Sequence, residues 1–281
     1  MSNDNIALII VLYNPTKEQL FRVRQLGSSY RGVIVDNSPI RNFPNAIGNM
    51  SYLFNDGQNL GIAEAQNRGL RLALEGEYDY FVFLDQDSRV EDDYPCNIVA
   101  EYLRVKQEKP RLAILGPQTF HQDSGEKYKS VFHPDKYECV DFIVRREIIS
   151  SGSCISRNVI SEVGLLESGL FIDYVDFEWC WRAESKGFIC GLTPKVRMEH
   201  KVGQRELKIG KYEIIISAPF RYYYQNRNYL YLLRRGYVPL QWKVAMGIKV
   251  LLRLVYFPLL VKGGASCWRY MIKGIWKGLR G

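Results

Sequence analysis

Residues 80 to 88 read Tyr-Phe-Val-Phe-Leu-Asp-Gln-Asp-Ser, and no other stretch limits the possible folds so tightly. Five consecutive apolar or aromatic residues predict a strand buried on both faces, as at the centre of a parallel sheet. The run stops at two carboxylates, Asp85 and Asp87, one residue apart. Asp and Ser end many strands simply as turn formers. In an open α/β sheet, however, the carboxyl edge of the strands is where ligands bind. Asp-x-Asp suits a hard divalent cation already bound to a diphosphate, because Mg2+ takes only one or two protein carboxylates beside phosphate oxygens.

The rest of the N-terminal half supplies a sheet for that strand. Residues 6–13 predict a first strand closed by Asn14-Pro15, and Thr16 can cap a helix running to about Leu26. Gly32 to Val35 predicts a second strand stopping at Asp36, and Ser51 to Phe54 a third. Strands alternating with helices imply a largely parallel, Rossmann-like α/β sheet flanked by helices. One edge then gathers Tyr13, Asp36, Asp85 and Asp87. Further along, 97–107 reads as a helix, 112–117 and 148–156 as strands, 118–140 as an irregular or edge region holding His121 and His133, and 187–192 as a last short strand.

Two segments carry further candidates. Asn59-Leu60-Gly61 leads into a helix bearing Asn67 and Arg68. It lacks both common phosphate-loop signatures, yet its glycines permit close backbone approach and a helix N-terminus favours an anion. Asn59, Gly61 and Asn67 are therefore candidate ligand-binding residues. In Phe171 to Arg182, Asp176 predicts the first turn of a helix to about Lys186, sharing a face with Trp179, Cys180 and Ala183. Asp173 and Glu178 read there as loop or capping groups.

Charge divides the chain of 281 residues. Its formal net charge is +8, but no Asp or Glu follows Glu213, whereas residues 214–281 hold twelve Lys or Arg. The first 213 residues are thus acidic overall, which argues against a nucleic-acid-binding core. Six cysteines show neither C-x-x-C pairing nor zinc spacing. With no signal peptide evident, the expectation is a reducing compartment and inert thiols.

Taken in order, the first strand with Asp36, the Asn59-Leu60-Gly61…Asn67-Arg68-Gly69 loop, Leu84-Asp85-Gln86-Asp87-Ser88, and Phe171…Asp176-Phe177-Glu178…Arg182 followed by His200 resemble the family-2 inverting glycosyltransferases of GT-A fold. The resemblance covers roughly residues 5–235. The stretches Leu-Asp-Gln-Asp-Ser and Phe-Ile-Asp-Tyr-Val-Asp-Phe-Glu-Trp-Cys look most like its rhamnosyltransferase branch, whose donor is dTDP-L-rhamnose. What it implies is transfer of a sugar to a hydroxyl of a growing, lipid-linked cell-surface glycan, with Asp176 as base. It also implies a Mg2+ or Mn2+ site at Asp87 and His200, Asp85 near ribose and metal, and Tyr13 and Asp36 near the nucleoside. The family often has Glu-Asp-x-Asp or Glu-Asp-x-Glu where this chain has Val175-Asp176-Phe177-Glu178. The missing leading acid leaves Asp173 as a rival base.

The chain divides at 213 into this domain and a basic tail. Phe220 to Arg235 predicts an amphipathic helix against the domain. In 242–262, apolar residues alternate with cations, and Arg253 and Pro258 interrupt the only long apolar run. That falls short of a spanning helix. Aromatic and aliphatic residues with Lys and Arg and no acid describe a helix in the membrane interface, here the cytoplasmic face of the plasma membrane; an oligomer contact is the alternative. Two other classes share part of the pattern. A catalytically dead nucleotide-sugar-binding scaffold would not need Asp87, Asp176 and His200 together. A nucleotidyltransferase would need a triphosphate loop that Tyr13-Asn14-Pro15 does not offer.

Overall fold

The computed structural model describes the backbone of residues 3–121, 136–139, 141–200, 205–209 and 212–281, with side chains for 4–120, 141–199 and 216–281. In chain order the elements are β1 (Ile6–Leu12), α1 (Lys17–Ser29), β2 (Arg31–Asp36), β3 (Met50–Phe54), α2 (Gly61–Leu74), β4 (Tyr80–Asp85), α3 (Tyr94–Glu108), β5 (Leu112–His121), β6 (Lys136–Cys139), β7 (Phe142–Val144), β8 (Cys154–Ser156), α4 (Arg157–Val163), α5 (Val175–Ser185), β9 (Ile189–His200), β10 (Arg205–Ile209), β11 (Tyr212–Ile216), α6 (Pro219–Leu233), α7 (Leu240–Leu260) and α8 (Gly264–Arg280). Nine strands form one sheet in the order β3-β2-β1-β4-β8-β5-β9-β7-β6, and β10 and β11 form a separate hairpin.

Alternation along the central strands explains the layering. Ala7, Ile9, Val11, Phe81 and Phe83 point to one face with residues of α2, α4 and α5. Ile6, Leu8, Ile10, Val82 and Leu84 point to the other, against α1 and α3. Both sets are buried, so β1 and β4 read as unbroken apolar runs. Strands β3, β2, β1 and β4 are mutually parallel, as are β5 and β9, while β8 and β7 run antiparallel to their neighbours. The sheet is thus mostly parallel. Thr16 caps α1 through a complete capping box with Gln19.

Three boundaries differ from the sequence expectation. β5 continues as a strand to His121, into the region read as irregular, because it pairs with the far end of β9. The short strand expected at 187–192 is part of one twelve-residue strand, Ile189–His200. Its register jumps from Thr193 opposite Pro117 to Arg197 opposite Gln118, a bulge that absorbs Pro194, which cannot donate to a ladder. The strand expected over 148–156 shrinks to Cys154–Ser156, since 148–153 forms a loop over the carboxyl edge of β4. His133 lies outside the described residues.

The C-terminal helices are packed on the domain. Trp242 of α7 is buried against Trp181 of α5, ring centroids 4.8 Å apart. α6 and α8 approach closely: a Cβ at Gly274 would lie 2.2 Å from the Tyr223 carbonyl oxygen, so only glycine fits there. Among the described residues no helix is long and apolar enough to cross a membrane.

Candidate active site

The carboxyl ends of β1, β2 and β4 lie side by side, with Leu12 opposite Asp36 and Val11 opposite Asp85. Side chains then stitch their loops together. The Gln86 amide exchanges two hydrogen bonds with the backbone of Tyr13, at 2.7 and 3.1 Å. Arg68 donates to Asn55, Asn55 to Asn37, and Asn37 to the Gly61 carbonyl. Gly61 has φ +79°, and a Cβ there would lie 2.5 Å from the Phe171 carbonyl oxygen. Only glycine therefore lets α2 begin against that loop. Asn59 accepts from the Gly61 N–H through its side-chain oxygen.

Some expected contacts turn inward. Asp36 is buried, and its carboxylate already accepts from the Ser38 and Asn42 N–H groups, the Asn42 amide and the Tyr52 hydroxyl. Burial pushes its pKa up, but hydrogen bonds from Ser38, Tyr52 and Asn42 outweigh that and hold it below the usual carboxylate value. It organises the loop after β2. Asn67 likewise spends its amide on the protein, donating to the Leu166 carbonyl and Ser168 hydroxyl and accepting from the Leu166 N–H. Its geometry is that of a brace between α2 and the 166–168 segment, not of a group presented to a ligand. Tyr13, by contrast, is half exposed at the rim. With Asn59, Phe171, Phe220, Tyr223, Tyr224, Tyr270 and Lys273 it lines a cleft of ≈ 430 Å³ between the sheet edge and helices α6 and α8.

Asp176 occupies the first turn of α5. It lies deep in the protein yet keeps part of its surface open. The backbone N–H and the hydroxyl of Ser150 face it and favour its ionised form, and the Gln66 amide of α2 donates to the Ser150 oxygen at 3.0 Å. Burial raises its pKa to about 6, with the Asp85 and Asp173 carboxylates adding to the rise and the Ser150 hydrogen bonds opposing it. Its rival is differently placed. Asp173 is clamped by Arg221 at 2.6 and 3.2 Å and also accepts from Gln225. Glu178 is no cap: it is buried inside α5, paired with Arg182 at 2.8 and 3.0 Å and hydrogen-bonded by Tyr237. Ser150, Gln66 and Arg221 went unnoticed in the sequence, where an isolated Ser, Gln or Arg carries no pattern.

The hydroxyl of Ser88 receives the Asp85 N–H and meets that of Ser151, folding a tight turn that presents Asp87 to solvent. Asp87 has no hydrogen-bond or ion-pair partner among the described residues. An open carboxylate beside a half-buried one fits a hard cation that draws its remaining ligands from phosphate and water. Among the described residues no group of three or more His, Cys, Asp and Glu forms a fuller cage. A bridge between Arg89 and Glu199 brings the end of β9, and so the His200 backbone, beside this turn; the His200 side chain lies outside those described.

No protein-family model matches the chain. It is 31% identical to dTDP-rhamnosyl transferase RfbF of Shigella flexneri over 292 residues, which take in 99% of this chain and 96% of that protein. Among solved structures, S. aureus TarS 1-349 in complex with UDP-GlcNAc superposes with a TM-score of 0.55 at 14% identity, covering 96% of this chain and 81% of that one. GalNAc-T7 with UDP, GalNAc and Mn2+ gives 0.53 at 16% identity over 70% of this chain, less than half of the larger protein. At such identities the two structures speak for the fold, and the near full-length relative for the family. The chain belongs to the family-2 glycosyltransferases of GT-A fold, in their rhamnosyltransferase branch.

Proposed function

We propose that the protein transfers L-rhamnose from dTDP-L-rhamnose to a glycan hydroxyl with inversion, using Asp176 as the base. The donor follows the activity that names the Shigella relative, a dTDP-rhamnosyl transferase. The observation that carries the base is the Asp176 carboxyl in the first turn of α5, raised to about 6 by burial beside Ser150. A hydroxyl is a poor nucleophile until a positioned base takes its proton, and a carboxylate of raised pKa does this best while still ionised near neutrality. The acceptor oxygen attacks the anomeric carbon, its proton passes to Asp176, and the bond to the diphosphate oxygen breaks to release dTDP. Asp173, already neutralised by Arg221, is a weaker candidate.

Asp87 and His200 would hold the divalent cation, with Asp85 close to it and to the ribose, and the ion when bound neutralises charge on the leaving diphosphate. An imidazole in the set favours Mn2+ over Mg2+. Tyr13, Asn59 and the loop ordered by Asp36 form the nucleoside side of the donor pocket. The aromatic cleft leading from Tyr13 to Tyr270 and Lys273 suits an acceptor sugar, whose apolar ring faces stack on aromatic groups.

Peripheral attachment to a membrane, on its cytoplasmic face, and a lipid-linked acceptor complete the reading. Leu240, Val244, Ile248, Leu251, Val255 and Leu259 all lie exposed on one side of α7, at the spacing of a single helix face. Trp268, Ile272 and Trp276 do the same on α8, beside Arg269, Lys273 and Lys277. Such faces suit an anionic bilayer surface. Calorimetric titration separates the donors. dTDP-L-rhamnose should bind with Mn2+ and lose most of its affinity in EDTA, whereas UDP-sugars should bind more weakly. Equal dTDP binding with and without EDTA contradicts the metal assignment.

A further inference from the structure

Phe171, Asp173 and Tyr174, in the five residues before Asp176, hold left-handed backbones with φ of +64°, +66° and +65°. None is glycine, and side chains of this bulk meet steric strain there. Phe171, with ψ −63°, sits in the strained γ-turn conformation. Such a backbone persists only where surrounding contacts over-determine it. The Ile62 N–H of α2 donates to the Phe171 carbonyl and Trp242 of α7 packs on Tyr174, but most of the side-chain hydrogen bonds to the loop come from one helix, α6. The amide of Asn228, fully buried, donates to three carbonyls of the loop: Leu170 and Ile172 at 2.8 Å and Asp173 at 3.0 Å. Its oxygen accepts from Arg227, which fixes the amide orientation, and Arg227 also donates to the carbonyls of Gly169 and Leu170. Arg221 grips the Asp173 carboxylate. The Tyr224 ring stacks on Phe171 with centroids 4.5 Å apart.

We propose that α6 is a positioning clamp for the catalytic base: Asn228, supported by Arg227 and Arg221, holds the 170–174 loop in its strained path and so sets where Asp176 stands relative to the donor. None of these residues touches the reacting atoms. The helix begins the segment whose outer faces suit a membrane, yet its inner face serves the chemistry. An arginine or asparagine over-invested in one loop is expected where a side chain must be held to a fraction of an ångström, since small misplacements of a base cost large factors in rate.

The inference rests on Asp176 being the base, and the experiment keeps the two apart. Full-length wild type, Asp176→Asn, Asn228→Ala and Asn228→Asp are compared for calorimetric binding of dTDP-L-rhamnose with Mn2+ and for the rate of dTDP release in the presence of acceptor-bearing membranes. Both Asn228 variants should bind the donor within about threefold of wild type while kcat falls roughly tenfold or more. Aspartate has the volume of asparagine but repels the three carbonyls, so a merely space-filling role predicts that it is tolerated. Should the Asn228 variants not fold, Arg221→Gln at the surface end of the clamp must show the same split in milder form. Unchanged kcat in a folded Asn228→Asp or Arg221→Gln overturns the clamp. Full turnover by Asp176→Asn overturns instead the reading beneath it.

Discussion

Asp176 carries a carboxyl whose proton is held unusually tightly, and its partners make that tunable. Burial is the main cause of the rise to about 6, and the Ser150 hydroxyl is one of the few groups working against it. A base must be ionised to act, so turnover should climb with pH through about 6 and level off above it. Ser150→Ala removes a hydroxyl that favours the ionised form and should move that limb to higher pH without shifting donor affinity. A pH–rate profile of the two proteins checks this; an unmoved limb means that Ser150 does not act on the base. Asp173, by contrast, already has its charge paired with Arg221.

At the level of elements, α5 is held by a buried ion pair that serves no chemistry. Arg182 donates to both oxygens of Glu178 and to the carbonyls of Val163 and Leu165. Arg182→Met would leave a carboxylate buried without its cation, and should cost about 3–5 kcal/mol, read as a lower urea midpoint. Glu178→Gln in the same chain should recover part of the loss. The sequence made β1, β2 and β4 readable because strands buried on both faces are continuous apolar runs. It hid β9 because Thr193-Pro194-Lys195 resembles a turn, and only the pairing with β5 shows it to be a bulge. The carboxylates at the strand ends were legible for the same reason: each follows an apolar run directly. The left-handed loop before Asp176 was not, since Phe171 and Tyr174 favour such backbones nowhere else and do so here through contacts with Tyr224, Asn228 and Trp242, some fifty residues or more along the chain. In α7 apolar residues occupy both sides, so composition could not say that Trp242 and Phe257 face inward while Leu251 and Leu252 face out.

For the molecule as a whole, that inward Trp242 changes how membrane attachment has to be tested. Truncation ahead of it would strip the cover from Trp181 and Tyr174, confusing loss of attachment with loss of the site. Leu251→Glu with Val255→Glu alters only exposed side chains. The pair should release the protein from anionic vesicles in a flotation assay while leaving dTDP binding intact. High salt should release wild type only in part, because it screens the cations but not the apolar contribution. Retention of the double variant on vesicles, or failure of wild type to float at low salt, would assign the α7 face to a protein contact, such as a second copy of this chain.

The most direct measurement follows radiolabelled rhamnose. Membranes carrying the acceptor are incubated with Mn2+ and labelled dTDP-L-rhamnose, alongside labelled UDP-sugars, using wild type and Asp176→Asn. Wild type should move label from dTDP-L-rhamnose into the lipid-extractable fraction, and Asp176→Asn, binding the donor normally, should do so roughly 10²-fold more slowly or worse. Label arriving from a UDP-sugar but not from dTDP-L-rhamnose, or equal rates for the two proteins, would contradict the account.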